Sequence, residues 1–256
     1  MADRQVQLKN LCSSTKVKHF SLEKFRRLAA KYEVQPLSRG GQGACWLLTR
    51  GAESRVVKEC QDLRDLVREV TYLSQVKAIN GVQHIAGVCG EKQLLITDFA
   101  GMSLDDYLDK GDQIDLAFLL TLANKLAHTV SQVNALNIYH NDIKLSNICV
   151  RKSSAGVSVR LIDFGLASSS EPLELDEPLS DGTCTWMAPE VKQGQCSSPA
   201  SDAYGVAHVL LTLFRRTHVA MPTPLHKWAK AALIIDPRYR PALDQLLACL
   251  AHVKGH

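Results

Sequence analysis

Three side chains within one short polar stretch have the types and the spacing of a group-transfer site. In the stretch His140–Asn147 (HNDIKLSN), the carboxylate of Asp142 is followed by the ammonium of Lys144 and then by the amide of Asn147. A carboxylate can accept a proton, an ammonium can neutralise developing charge, and an amide oxygen is a neutral ligand for a hard cation. The stretch predicts a catalytic loop if other elements position it, and it is otherwise a chance run of polar groups.

The composition limits the classes of protein to which the chain can belong. Its 256 residues are 46% hydrophobic, which is enough for a core, and its formal charge of +4 is too small to indicate a nucleic-acid partner. Residues 1–31 carry eight basic and two acidic side chains, which indicates either a solvated helix face or a docking or nuclear-import patch. No apolar run reaches the ~18 residues of a membrane span, so we expect no membrane segment.

Cysteine usage favours a reducing compartment. The eight cysteines include no C-x-x-C pair, which argues against a zinc site. Because no signal peptide is visible, the sequence predicts an intracellular protein of the cytoplasm, the nucleus or both.

Hydrophobic periodicity indicates the elements that would hold the loop. Ser21 precedes an apolar face over residues 22–32, which predicts a capped amphipathic helix. A glycine-rich turn at residues 40–43 lies between two strands, and alone it is typical of an ordinary hairpin. The other predicted elements are a helix at Asp65–Val76, a strand at Leu94–Thr97, a helix at Leu116–Leu136 and paired strands at Ile148–Val150 and Val157–Ile162. Strands dominate early and helices late, which indicates an α+β protein with two lobes.

The motifs of the chain, in their order, resemble those of the eukaryotic protein kinase family from about Leu37 to Leu250. They are the glycine turn, Lys58, Glu69, the loop at Asp142, Asp163-Phe164-Gly165, Ala188-Pro189-Glu190, Asp202, and Arg240 within Asp236–Pro241. Each motif is weak alone, whereas their order and spacing together are specific. The resemblance implies a two-lobed kinase-like fold that uses ATP and Mg²⁺ to phosphorylate Ser and Thr of protein substrates.

The resemblance also implies a domain organisation. Residues 1–33 would form an N-terminal extension with the amphipathic helix, and residues 34–256 the kinase domain. Within that domain we expect a small, mainly β N-lobe (34–97), a hinge (98–101) and a mainly α C-lobe (102–256). Asp202 and Arg240 lie 38 positions apart, which is short for the family. A helical lobe shortened in this way resembles that of compact kinases encoded by large DNA viruses, in which case the compartment would be that of the host cell.

The roles of the catalytic residues follow from the resemblance. Asp142 would accept or orient the proton of the substrate hydroxyl, and Lys144 would neutralise charge on the transferred group. Asn147 and Asp163 would bind Mg²⁺. Lys58 would hold the nucleotide phosphates, with Glu69 as its partner, although their separation in sequence is shorter than the family norm. An exposed ion pair of little energetic value is the alternative, and Glu59, Asp62 and Asp65 are the rival partners.

The nucleotide site is the largest set of residues that the resemblance implies. Gly40 and Gly43 match the second and third glycines of the phosphate loop, whereas Ser38 replaces the first. Cys45 and Val56 would cover the adenine, Cys149 would lie beneath it, and Thr97 would be the gate residue before the hinge. The full set is Leu37, Ser38, Gly40, Gly41, Gln42, Gly43, Cys45, Val56, Lys58, Glu69, Thr97, Asp98, Ala100 and Cys149. Without the resemblance, each is equally compatible with an ordinary turn or core position.

Asn141 departs from the family pattern, because most members have arginine there. That arginine grips a phosphate on the activation segment, and an asparagine cannot make the bidentate, charge-assisted contact. We therefore expect a non-RD kinase that does not depend on phosphorylation of this segment. Glu171, Glu174, Asp176, Glu177 and Asp181 either replace part of a phosphate's charge or form a solvated acidic loop.

Three further positions match structural residues of the family, and one indicates the substrate class. Glu190 would pair with Arg240, and Asp202 would hold the backbone of the catalytic loop. Thr183, together with Lys144, favours Ser and Thr over Tyr as acceptor.

Two alternatives stay open from the sequence. A pseudokinase would bind nucleotide or partners without chemistry, but Lys58, Asp142 and Asp163 are all present. A small-molecule phosphotransferase would lack the Ala188-Pro189-Glu190 segment. We expect protein substrates with Ser or Thr acceptors, no nucleic acid, no membrane and a monomer.

Overall fold

The structure, a computed structural model, describes residues 2–40, 43–111, 114–154, 156–169, 171–172 and 184–254. The chain divides into two compact units, one of residues 1–78 and 83–100, the other of residues 79–82 and 101–256. The first unit is built around a five-stranded sheet, and the second mainly from helices. The predicted α+β class, with a mainly β N-terminal part and a mainly α C-terminal part, is confirmed.

An antiparallel sheet forms the centre of the first unit, in the strand order β1-β2-β3-β5-β4. The elements of this unit are the strands β1 (Glu33–Gly40), β2 (Gly43–Arg50), β3 (Glu53–Glu59), β4 (Ile85–Cys89) and β5 (Leu94–Asp98), and the helices α1 (Ala2–Thr15), α2 (Leu22–Ala29) and α3 (Leu63–Gln75). Lys58 of β3 lies opposite Cys45 of β2 and Leu95 of β5. The lysine is thus on the central strand of the sheet.

Only three residues separate the end of β3 from the start of helix α3. Its start is fixed by Asp62, whose carboxylate accepts a hydrogen bond from the backbone N–H of Asp65 at 2.9 Å. Leu66, Val70 and Leu73 are fully buried at helical spacing, and Glu69 lies among the buried residues of the same helix. The short Lys58–Glu69 separation therefore results from a short loop before the helix.

The N-terminal segment is part of the first unit. The capped helix α2 was predicted, and Ser21 caps its first turn. No bounds were predicted for a helix before it, where residues 2–15 form α1 with a fully buried Leu8. Residues 18–20 pair with Val88 of β4 through two backbone hydrogen bonds of 2.8 Å. A side chain at Gly87 would lie 2.5 Å from the ring of Phe20, so the segment packs closely on this strand.

The second unit is mainly helical. Its elements are the helices α4 (Leu104–Asp109), α5 (Leu116–Asn134), α6 (Pro189–Lys192), α7 (Pro199–Thr217), α8 (Thr223–Ala232) and α9 (Leu243–Lys254), and the strands β6 (Met102–Ser103), β7 (Ile148–Ser153) and β8 (Gly156–Leu161). The predicted hairpin is confirmed, with Cys149 of β7 opposite Arg160 of β8. Helix α5 begins at the predicted residue, where Asp115 caps it by accepting from the N–H of Phe118 at 2.7 Å. Among the helices that the structure describes, none is long and apolar enough to cross a membrane.

Candidate active site

The loop after α5 is anchored by the buried carboxylate of Asp202, in the first turn of α7. This carboxylate accepts hydrogen bonds from the backbone N–H groups of His140 (2.9 Å) and Asn141 (3.0 Å) and from the side-chain amide of Asn134 (2.7 Å). Burial raises the pKa of Asp202, whereas its three hydrogen-bond donors act in the opposite direction. The predicted role of Asp202 in holding the loop backbone is confirmed.

The ring of His140 fixes the next part of the loop. Its Nδ1 accepts from the N–H of Asp142 (3.2 Å), so the ring proton is on Nε2, which donates to the carbonyl of Ile162 (3.0 Å). The ring also packs edge-on against Phe164, with the centroids 4.7 Å apart. These contacts connect the loop to the residues on either side of Asp163.

The carboxylate of Asp142 is the centre of the site. It is 2% exposed. Its Oδ2 accepts from Lys144 Nζ (2.8 Å) and from Asn147 Nδ2 (2.7 Å), and its Oδ1 accepts from the indole Nε1 of Trp186 (2.7 Å). The structure thus brings together the three residues with which the sequence analysis began, and adds a fourth.

Asn147 and Asp163 have the chemistry of a Mg²⁺ site. The backbone N–H of Ile162 donates to the carbonyl of Asn147 at 2.9 Å, so the two candidate ligands lie on neighbouring paired segments. Because Asn147 Nδ2 donates to Asp142, its Oδ1 is the atom that would bind a metal. Asp163 has a left-handed backbone (φ 65°) and accepts from the N–H of Gly165 at 3.2 Å. One carboxylate and one amide oxygen fit Mg²⁺, which takes its remaining ligands from phosphates and water.

In the first unit, Lys58 and Glu69 form a largely buried ion pair. Lys58 Nζ lies 2.9 Å from Glu69 Oε2, and the side chains are 15% and 2% exposed. Asp62, one of the rival partners, instead caps α3. The predicted pairing is therefore present, and it is not the exposed ion pair that was the alternative.

Gly43 is required by the backbone at the start of β2. Its φ is 112°, and a Cβ there would lie 1.9 Å from the carbonyl oxygen of Glu59. It pairs with Gly40 of β1, and Ser38 pairs with Cys45 beyond a register shift at Leu37. Gly41 and Gln42 lie outside the described residues.

Thr97 is held by a residue that the sequence analysis did not identify. Its buried hydroxyl accepts from the side-chain amide of Gln83 at 2.8 Å, and Val56 lies opposite it on β3. After it, the backbone N–H of Asp98 donates to His84 O (3.0 Å), and Ala100 is buried. No signal in the sequence pointed to Gln83.

Cys149, the candidate floor of the adenine site, is a buried thiol in the second unit. Burial, with a smaller contribution from the charge of Asp106, raises the pKa of Cys149 to about 12. The thiol is therefore neutral and apolar in character at physiological pH.

Asn141 binds the start of the activation segment through neutral hydrogen bonds. Its Nδ2 donates to the carbonyl of Leu166 (3.0 Å) and to the hydroxyl of Ser168 (2.9 Å), which donates in turn to the hydroxyl of Ser197 (2.9 Å). Of the acids considered above, Glu171 is exposed. Glu174, Asp176, Glu177 and Asp181 lie outside the described residues, as does Thr183.

Glu190 and Arg240 form the predicted buried pair. Two parallel hydrogen bonds of 2.7 Å join them, and the Arg240 side chain is 0% exposed. Ser201 donates to the same carboxylate at 2.9 Å. The guanidinium also donates to the backbone carbonyls of Ala200, Ile234 and Ile235.

The chain is similar in sequence to known proteins. The family model described as "Protein kinase domain" matches residues 50–239. The chain is 30% identical over 201 residues to the serine/threonine-protein kinase A-Raf of Mus musculus, covering 71% of this chain and 32% of the relative. It is 27% identical over 241 residues to the serine/threonine-protein kinase pkn2 of Myxococcus xanthus, covering 86% of this chain and 29% of the relative. The chain thus spans about a third of the length of these relatives.

Proposed function

The chain belongs to the eukaryotic-type serine/threonine protein kinase family, and from that premise we propose that it transfers the γ-phosphoryl group of ATP to Ser and Thr hydroxyls of protein substrates. The observation that carries the proposal is the buried carboxylate of Asp142, with Lys144 and Asn147 both within 2.8 Å of Oδ2. A base, a cation and a metal ligand on one loop are what phosphoryl transfer needs from the protein.

In the proposed reaction, Asp142 orients the acceptor hydroxyl and takes its proton. The hydroxyl oxygen forms the new bond to the γ-phosphorus, and the bond to the bridging oxygen of the β-phosphate breaks, which releases ADP. Lys144, at the same carboxylate, places a positive charge beside the transferred group. The contribution of the protein is positioning and charge stabilisation.

Asn147 Oδ1 and Asp163 would hold Mg²⁺, which supplies charge neutralisation at the phosphates. We propose that Lys58, directed by Glu69, acts on the same nucleotide. Backbone N–H groups of the glycine turn at residues 40–43 would bind its phosphates, because glycines permit close approach. Leu37, Ser38, Cys45, Val56, Thr97, Asp98, Ala100 and Cys149 would complete the nucleotide site.

We further propose that activity does not require phosphorylation of the activation segment. Asn141 already holds the start of that segment through Leu166 and Ser168, so no phosphate is needed to order it there. Ser168 belongs to this contact and is left unchanged in the test. Replacing Ser169, Ser170, Ser180 and Thr185 with Ala should leave kcat within about twofold of the wild type, and a large loss with folding intact would contradict the proposal.

The deciding experiment is transfer of radiolabelled phosphate from ATP to a generic basic protein. We expect labelling by the wild type and a loss of at least about a hundredfold in Asp142→Asn and in Lys58→Met, since each change removes a charge used in the transition state. Phosphoamino acid analysis should then give phosphoserine and phosphothreonine. Labelling that both substitutions leave unaffected would come from a contaminant, and the protein would then be a pseudokinase.

The remaining predictions concern organisation. We propose an N-terminal extension ending at residue 33, a hinge at residues 98–101, a monomer and an intracellular location. Size-exclusion chromatography with light scattering tests the monomer.

A further inference from the structure

Trp186 contacts two of the residues that the proposed reaction uses. Its indole N–H donates to Asp142 Oδ1 at 2.7 Å, and the ammonium of Lys144 lies 4.9 Å from the centre of its ring. According to the family resemblance, Thr183, three residues earlier in the chain, would bridge the same two groups.

The backbone around Trp186 directs the indole towards the carboxylate. Trp186 lies within a tight turn, in which the N–H of Met187 donates to the carbonyl of Cys184 at 2.9 Å. Cys184 has a φ of 55°, a left-handed conformation that costs energy for a residue other than glycine. Trp186 also packs against the buried apolar cluster of Met187, Ala188 and Val191. The contact with Asp142 is therefore built into the packing of this segment.

The indole and the acceptor hydroxyl of a substrate would both donate to the carboxylate of Asp142. A hydroxyl transfers its proton to Asp142 only from within hydrogen-bond reach of a carboxylate oxygen. Oδ2 accepts from Lys144 and Asn147, Oδ1 accepts from the indole, and the residue is 2% exposed. In this arrangement both oxygens are engaged and the carboxylate is covered.

We propose that Trp186 is a gate on Asp142, which a bound protein substrate displaces. In the resting protein the indole N–H occupies the place of the acceptor hydroxyl at Oδ1. The substrate's Ser or Thr side chain moves the indole aside and donates to Oδ1 in its stead. This proposal rests on the proposed kinase function and assigns to Trp186 control over access of the acceptor. The opposite possibility is that the indole only positions Asp142 for catalysis.

Trp186→Phe separates these two roles, because phenylalanine keeps an aromatic ring beside Lys144 and removes the N–H donor. For a gate, kcat/KM should rise by about tenfold for a peptide that carries the serine labelled in the basic protein. A tenfold change corresponds to about 1.4 kcal/mol, which is the order of the net contribution of a hydrogen bond to a charged group. The KM for ATP should not change. A fall in kcat with an unchanged peptide KM would show a positioning residue and overturn the gate.

Trp228→Phe is the matched control. It also removes a buried indole N–H, which donates to the carbonyl of Ala242 at 3.1 Å within the helical core. We expect a lower thermal midpoint and unchanged kcat/KM at temperatures where the variant is folded. An equal rise in both variants would mean that general loosening, and not the contact with Asp142, sets the rate.

A second measurement does not depend on turnover. The protein has three tryptophans, and the indole ¹H–¹⁵N resonance of Trp186 is identified by its loss in Trp186→Phe. With a non-hydrolysable ATP analogue bound, saturating serine peptide should shift this resonance and leave that of Trp228 in place. A Trp186 resonance that stays in place at saturation refutes the gate alone. Failure of the wild type to exceed Asp142→Asn in phosphate transfer refutes the kinase function itself.

Discussion

Replacing Arg240 with methionine should lower the free energy of unfolding by about 3–5 kcal/mol, because it leaves a buried carboxylate without its cation. The side chains of Arg240 and Glu190 are 0% and 5% exposed, and two hydrogen bonds of 2.7 Å join them. Three backbone carbonyls that accept from the guanidinium would also lose a donor. Methionine keeps most of the stem volume, so the loss reports on charge and hydrogen bonding.

The assay is urea unfolding followed by circular dichroism, supported by the thermal midpoint. For a chain of this size, each kcal/mol corresponds to about 2–4 °C, so the midpoint should fall by about 6–20 °C. A second substitution, Glu190→Gln, tests whether the loss of stability in Arg240→Met comes from the unpaired carboxylate. In the double variant no charge is left unpaired. Its loss of unfolding free energy should therefore be smaller than the sum of the losses of the two single variants.

The control lies two residues away in the same motif. Arg238 pairs with Asp236, but its side chain is 80% exposed. Although this pair lowers the pKa of Asp236 to about 2, solvent screening leaves little net stabilisation. Arg238→Met should therefore match the wild type in both assays. Equal losses in the Arg238 and Arg240 variants would refute the reasoning from burial, as would an Arg240 loss below about 1 kcal/mol.

Three further predictions test other parts of the site. Gly43→Ala should weaken binding of an ATP analogue and lower the thermal midpoint, because its Cβ would lie 1.9 Å from a backbone carbonyl of β3; unchanged calorimetric affinity would contradict this. Glu69→Gln should reduce kcat/KM for ATP by about ten- to a hundredfold, since Lys58 loses a charged partner; a rate within twofold of the wild type would show that other contacts suffice. Cys149 should resist iodoacetamide at pH 8, because its pKa is raised to about 12, while exposed Cys196 reacts; peptide mass mapping that finds Cys149 modified first would refute the assignment.

The parts of the site that residue types and spacing alone predicted are those whose partners are close in the chain. Asp142, Lys144 and Asn147 lie on one loop, so their types and spacing already limit how far apart the side chains can be. Helix α3 and the hairpin of β7 and β8 were predicted because their apolar positions follow the periods of a helix and of a strand. The pairing of Glu190 with Arg240 has no such local signal, and only the family resemblance indicated it.

The contacts that the sequence did not predict join residues that no local pattern relates. Trp186 and Asp142 are 44 positions apart, and Gln83 and Thr97 are 14 apart. Each contact depends on how separate segments pack, and a tryptophan or a glutamine in a loop has many possible roles. Helix α1 was missed for a related reason, because its polar composition gives a weak amphipathic pattern around Leu8.

Asn141 shows how the loss of one family residue can be matched by others. A buried arginine at this position would need an acid or a phosphate beside it, because an unpaired buried cation is costly. Asparagine tolerates the left-handed backbone found here (φ 64°) and supplies two N–H donors, which go to Leu166 O and Ser168 Oγ. Ser168 donates in turn to Ser197, so neutral groups complete the connection. Phosphorylation elsewhere in the segment would change the charge of no group in this connection, so we expect the anchoring of the loop at Asn141 to be independent of that modification.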